Sequence, residues 1–175
     1  MTGLALAKSD LPSRLVLTDG FPEVLLNLRF NVEVNDAADA VEVWQLEWGA
    51  DPSTQGDAWE AVRACDLLLG ADLVYDPEVN PLLADLLAGL LVDGGNGSGN
   101  DGDGHCPEAI LLATTVRRET TFANFEALLG ARGLSAEDLT ETVGAGRARR
   151  YHYDDEEVLL WRIGATARGD GLTGT

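Results

Sequence analysis

Three short strings carry residue types able to do chemistry together. Leu17-Thr18-Asp19-Gly20 sets a carboxylate directly after an apolar run. At the carboxyl end of a strand in a nucleotide-binding α/β fold, such an acid accepts hydrogen bonds from both ribose hydroxyls. Ahead of Pro22 it reads equally as a turn or helix-capping aspartate. Glu47-Trp48-Gly49 follows a second apolar run, and the Trp48 indole offers a face on which an adenine ring can stack. Taken alone, that tryptophan reads first as a residue closing the edge of a core. In Gly70-Ala71-Asp72-Leu73-Val74-Tyr75-Asp76-Pro77 the small residues at 70 and 71 let a ligand ring approach the backbone. Asp72 is expected at a strand's carboxyl end, facing a cleft, with Tyr75 pointing into the same cleft. A carboxylate and a phenol so placed can hold a lysine ammonium and orient its nitrogen. The competing reading is a loop leading into a helix, its aspartates bonded to backbone N–H groups. That is common for one aspartate and less so for the whole string.

Other chemistries find little support. His105-Cys106 has no second pair at ligand spacing and no CxxC beside it. The Asn/Asp/Gly-rich stretch around it fails the calcium-loop pattern, because the register that puts Gly104 at position six leaves Gly99 and Ile110 at positions one and twelve. Neither His105 nor His152 has the context of a serine or cysteine nucleophile. Arg147, Arg149 and Arg150 form the basic cluster, read as a solvated loop or hairpin. Two cysteines cannot make a disulfide scaffold in 175 residues. Cys65, in an apolar strand-like run, is expected to be a buried reduced thiol.

The elements that must position these residues follow from the apolar patterning. Arg14–Thr18, Ala40–Leu46, Asp66–Ala71 and Ala109–Thr114 are near-continuous apolar runs, as in strands buried on both faces of a parallel sheet. Glu157–Ile163 reads as a fifth strand. Helical spacing fills the gaps. Pro22–Val32 has apolar residues at 24, 25, 28 and 32, with Pro22 suited to the first turn. Pro81–Leu91 is a second helix, with Gly94 and Gly95 beyond it. Glu119–Gly133 is a third, its Phe122, Phe125, Leu128 and Leu129 sharing a face and Gly133 serving as C-cap. Alternating strands and helices predict an α/β domain with an open parallel sheet and right-handed crossovers. Such sheets bind ligands beyond the carboxyl ends of their strands, where the three strings lie.

Composition sets the outer limits. With 12 Lys+Arg against 30 Asp+Glu the formal charge is −18, while 45% of residues are apolar, a globular proportion. That charge excludes a generic nucleic-acid binder, which needs clustered Lys/Arg, and disfavours an anionic membrane surface. It suits a basic partner, though most of it is expected to be solvated surface. The longest candidate span, Leu82–Val92, contains Asp85 and falls short of the ~18 apolar residues a membrane helix needs. The start of the chain lacks a secretory cleavage pattern. A soluble, cytoplasmic monomer is the expectation.

With those residues in place, the order LVLTDGFPEVLLNLRFNVEVN, VEVWQLEWG, DLLLGADLVYDPE and LLATTVRRETTFANFEALL resembles the seven-strand, S-adenosylmethionine-dependent protein methyltransferases of the lysine methyltransferase group called family 16. The segment ATTVRRETTFANF most resembles the branch that methylates elongation factor 2. Coverage runs from about Gly3 to Leu129, with a weaker match at Val158–Ile163. The resemblance implies a Rossmann-like, open, mostly parallel sheet of a class I methyltransferase and methyl transfer to a lysine of a protein substrate. It implies that Asp19 holds the cofactor ribose, that Trp48 and Ala71 lie at the adenine, and that Asp72 and Tyr75 stand beside the substrate lysine. One departure stands out. The family's first strand and its Gly-rich loop should precede the Asp19 strand, yet Met1–Lys8 resembles the end of the helix that follows them, with Gly3 its one glycine. The expectation is therefore a partial methyltransferase domain over 1–163 lacking the first strand, with a flexible insertion at 93–108 and a disordered tail at 164–175. The alternative is a non-catalytic remnant that binds a basic protein.

Overall fold

The computed structural model describes residues 2–9, 14–93, 107–113, 119–141 and 159–166. His105, Cys106, the Arg147–Arg150 cluster, His152, most of the expected insertion and the tail beyond 166 lie outside the described residues. The chain forms two compact units, Met1–Asp66 and Leu67–Thr175.

In the first unit, helix α1 (Thr2–Ala7) precedes strand β1 (Leu15–Asp19), helix α2 (Pro22–Val34), strand β2 (Val41–Gln45), a 3₁₀ turn (Pro52–Thr54) and helix α3 (Asp57–Arg63). β1 and β2 pair in parallel, from Leu15 opposite Val41 to Asp19 opposite Gln45. Parallel neighbours need a crossover, and α2 supplies it. The core gathers Val32, Ala37 and Val41, with Leu4, Ala7, Leu15, Leu17 and Val43 packed around them. Gly3 permits α1 its close approach, since a Cβ there would lie 2.3 Å from Leu17 Cδ2. Pro22 occupies the first turn of α2 as its fixed φ favours. Leu25 and Val32 are buried, whereas Val24, given to the same face by its spacing, is largely exposed. Helix α3 was not expected. It is only seven residues long, and Ala58, Trp59, Ala61 and Val62 are all buried, so no clean amphipathic period marks it. Cys65 corrects another expectation: it lies after α3, outside the strand, and is only half-buried. Its thiol donates to the Ala61 carbonyl at 3.4 Å, and burial pushes its pKa up.

The second unit carries strand β3 (Leu67–Ala71), helix α4 (Asn80–Ala88) running into a π turn (Gly89–Asp93), strand β4 (Glu108–Ala113), helix α5 (Glu119–Gly130) and strands β5 (Leu134–Asp138) and β6 (Leu159–Ala165). Its sheet order is β3-β4-β6-β5. β3 and β4 are parallel, while β6 runs antiparallel to both its neighbours. Phe125 and Leu129, on the expected face of α5, are fully buried with Leu83, Leu134 and Ile163. α5 stops at Gly130, and Gly133 serves the turn beyond it with φ +74°, a backbone state that costs glycine nothing.

Asp93 belongs to the π turn and Glu108 opens β4, so both ends of the stretch expected to be an insertion at 93–108 lie in regular elements. β6 continues through Gly164 and Ala165, opposite Ser135 and Leu134, so the tail does not start at 164. β5 itself, LSAED, is short and polar, with Leu134 its one buried residue, and so left no strand signature.

Candidate functional site

The first unit brings two of the proposed residues to one end of one sheet. β1 and β2 are parallel and in register, so both carboxyl ends fall together. The Leu46 N–H donates to the Asp19 carbonyl at 3.0 Å, and Gln45 Nε2 reaches the Gly20 carbonyl at 3.2 Å. Trp48 follows Leu46 by two residues, half-buried on the turn Glu47–Ala50, where Gly49 has φ +82°. Gln55 accepts from the Glu47 N–H at 2.8 Å and pins that turn. Asp19 does part of what a turn aspartate does: its Oδ1 accepts from the Phe21 N–H at 2.9 Å and fixes the start of α2. Its second oxygen has no hydrogen bond among the described residues, so one side of the carboxylate remains available for a ligand hydroxyl.

Around the second unit's β3 the two aspartates divide the labour. Asp76 acts as a capping residue. Its Oδ1 accepts from the Glu78 N–H at 2.9 Å, and its carbonyl accepts from Asn80 N at 3.0 Å. Asp72, directly after β3, does none of this. It holds φ at +56°, a left-handed state sparsely populated by residues other than glycine. Among the described residues nothing hydrogen-bonds to its carboxylate. Strained backbone of this kind persists where the surrounding structure imposes it, and it concentrates at functional sites. Ala71 is exposed beside it, and Tyr75 is 59% exposed three residues later.

Gly70 has a different role from the one expected. A Cβ there would lie 2.4 Å from Leu73 Cδ1 and 2.8 Å from Leu111 Cδ2. The space above Gly70 is filled by the protein's own leucines, so its smallness serves packing, and only Ala71 presents a small side chain outward.

The structure adds one residue that the sequence did not single out. Asn80 opens α4 and is 2% exposed, yet its Oδ1 has no hydrogen-bond partner. It lines a cavity of about 400 Å³ with Pro77, Pro81, Thr121, Asn124, Ala127 and Leu128. An asparagine next to Pro81 at a helix start looks like an ordinary cap in sequence. A buried, unsatisfied amide is visible only in three dimensions.

A recess in the first unit, lined by Arg14, Glu42, Trp44, Asp57, Glu60 and Ala61, is built around an ion pair. Arg14 clamps Glu42 through Nε at 2.6 Å and Nη2 at 3.1 Å, and Trp44 Nε1 donates to the same carboxylate at 2.9 Å. The Arg14 bond holds the Glu42 carboxyl below its ordinary value. Among the described residues no group of acidic, histidine or cysteine side chains could hold a metal ion, and no helix is long and apolar enough to cross a membrane.

Residues 1–97 match the lysine methyltransferase family model. The chain is 33% identical over 126 residues to the protein-lysine N-methyltransferase EFM3 of Chaetomium thermophilum, covering 70% of this chain and 34% of that protein. To the Saccharomyces cerevisiae protein of the same name it is 27% identical over 135 residues, 74% of this chain and 34% of the relative. An uncharacterized protein of Dictyostelium discoideum is 24% identical over 175 residues, 86% of this chain and 45% of its own length. The chain thus spans between a third and a half of the curated relatives it matches.

Proposed function

Because the chain belongs to the lysine methyltransferase family, a class I α/β fold with S-adenosylmethionine as cofactor, we propose that it takes part in methyl transfer to a lysine side chain of a protein substrate. The observation that carries the proposal is Asp72: a left-handed, non-glycine residue at the carboxyl end of β3 whose carboxylate is spent on no bond among the described residues. Names of the two EFM3 relatives support a protein lysine as acceptor. A substrate like elongation factor 2 rests on the segment ATTVRRETTFANF, of which 114–118 lie outside the described residues.

The residues present fit the cofactor. Asp19 keeps one carboxylate oxygen available for a ribose hydroxyl, Trp48 is half-buried on a pinned turn, and Ala71 is small and exposed. In this reading Asp19 holds the ribose, while Trp48 and Ala71 line the adenine. When bound, S-adenosylmethionine supplies a methyl group on a positively charged sulfur. The chain's own task is to present a neutral amine in line with it, since orientation is where most of the rate is gained. Free lysine has a pKa of about 10.4 and is protonated at neutral pH. Desolvation favours the neutral amine, whereas an anionic Asp72 favours the ammonium. Asp72 therefore positions the lysine rather than deprotonating it, and the Tyr75 phenol shares that task. The finer fold belongs to the same proposal: one open, mostly parallel sheet in which a further strand pairs with the open edge of β1. The chain would act as a cytoplasmic monomer.

Calorimetry with S-adenosylhomocysteine and a methyl-transfer assay on a lysine-bearing protein test this together. Asp19→Ala is expected to weaken S-adenosylhomocysteine binding about tenfold, the ~1.4 kcal/mol of a charge-assisted hydrogen bond. Asp72→Asn should leave that binding intact and cut transfer by about a hundredfold or more. Full transfer by Asp72→Asn would remove its role, and no S-adenosylhomocysteine binding by the wild-type chain would favour the remnant reading.

A further inference from the structure

The cavity beside Asn80 is lined by groups of one chemical kind. Asn80 and Asn124 contribute carboxamides, Thr121 a hydroxyl, and Pro77, Pro81, Ala127 and Leu128 apolar walls. Among the described residues that line it there is no cation. Among the same residues there is no carboxylate, and the polar groups that are present are neutral. Neutral groups that both donate and accept suit a neutral ligand that does the same, and a peptide main chain with its alternating N–H and C=O is such a ligand. Asn80 adds a specific demand. Its Oδ1 is buried without a donor, which leaves the desolvation cost of the amide uncompensated until an N–H arrives. Thr121 and Asn124 share one face of α5, three residues apart, and neither side chain is used in a hydrogen bond among the described residues. Pro77, which lines the cavity, comes two residues after Tyr75 in the chain and belongs to the same unit.

We propose that this cavity between the start of α4 and one face of α5 holds the main chain of the protein substrate near the target lysine, with Asn80 accepting one backbone N–H. The inference rests on the lysine methyltransferase reading and deepens it by assigning a substrate-positioning residue. Asn80 touches none of the reacting atoms. Its role is to fix the register of the chain that carries the lysine.

The probe is a capped Ala-Ala-Lys-Ala-Ala peptide titrated into the full chain, followed through the ¹⁵N-detected amide signals of Thr121 and Asn124. Both signals are expected to move saturably with peptide. Asn80→Leu should raise the peptide Kd about tenfold, the ~1.4 kcal/mol of one neutral hydrogen bond, while Asn80→Asp, which keeps the acceptor, stays within about threefold of wild type. A second arm needs no variant. Methylating the peptide's backbone nitrogens one at a time should weaken binding to the wild-type chain about tenfold at one position and little at the others. Equal effects at all positions, unmoved Thr121 and Asn124 signals, or unchanged affinity in Asn80→Leu would overturn the proposal. Movement of the same two signals by S-adenosylhomocysteine would overturn it too, by giving the cavity to the cofactor. Calorimetric binding of S-adenosylhomocysteine, measured in parallel, separates the outcomes: binding without a peptide response sinks this inference alone, and silence in both sinks the methyltransferase reading with it.

Discussion

Asp72 and Asp76 stand four residues apart in one string and differ in what their carboxylates bond. Asp76 bonds the backbone leading into α4, as an aspartate before a helix ordinarily does. Asp72 takes a left-handed φ of +56°, and among the described residues its carboxylate gains no hydrogen bond in return. Its backbone would be easier for glycine, which populates that region freely. Asp72→Gly is therefore expected to raise stability by about 0.5–1 kcal/mol while abolishing methyl transfer. Urea unfolding and an activity assay on the same preparation check both halves. A variant that is less stable than the wild type would mean that the carboxylate itself supports the fold.

At the scale of elements, the parallel pair β1–β2 is held by its ladder, by α2 across it, and by one cross-strand clamp between Arg14 and Glu42. The Arg14 bond first, and the Trp44 bond second, hold the Glu42 carboxyl below its ordinary 4.5. A carboxylate whose folded pKa is depressed contributes stability at pH above its unfolded value. That contribution fades as pH falls through the lower, folded value. The clamp is thus expected to hold at neutral pH and to weaken below about 4.5. Acid titration of unfolding should show a shallower loss below that pH in Glu42→Gln than in wild type, and identical acid limbs would remove the clamp from the account. Asp51, whose carboxylate is held low by Ser53, adds a response of the same sign in the neighbouring 3₁₀ turn.

For the whole molecule, a charge of −18 dominates the electrostatics. The ion pairs described are few and exposed: Arg14–Glu42, Arg132–Asp85, and Arg162 with Glu108 and Glu137. Exposed pairs contribute at most about 1 kcal/mol each and are screened by salt. Self-repulsion among 30 acidic residues is screened as well, and it acts against the compact state. The excess of acid over base decides which effect wins. Raising sodium chloride from 10 mM to 0.5 M, which shortens the screening length from about 30 Å to a few ångströms, is expected to raise the melting temperature. A fall would show that the ion pairs outweigh the repulsion. The same charge is expected to make a basic protein substrate bind more weakly as salt increases.

The sequence by itself determined the strands around all the proposed residues. Near-continuous apolar runs of this length mark strands, and β1 to β4 lie within a residue of where those runs put them, although the expected burial on both faces is not met, since β3 leaves Leu67 and Leu69 exposed. It also fixed the kinship, because Asp19, Trp48 and the Ala71–Tyr75 string stand in a fixed order along the chain. What it could not carry was anything set by neighbours distant in sequence. α3 is too uniformly buried to show a period, and β5 is too polar to look like a strand. Gly70 is small for Leu73 and Leu111 rather than for a ligand. Asp72 and Asp76 are the same residue type in the same loop, and only their backbone angles and hydrogen bonds tell them apart. Asn80 becomes conspicuous only when α5 packs beside it, because an unsatisfied amide is defined by the groups around it and not by its own position in the chain.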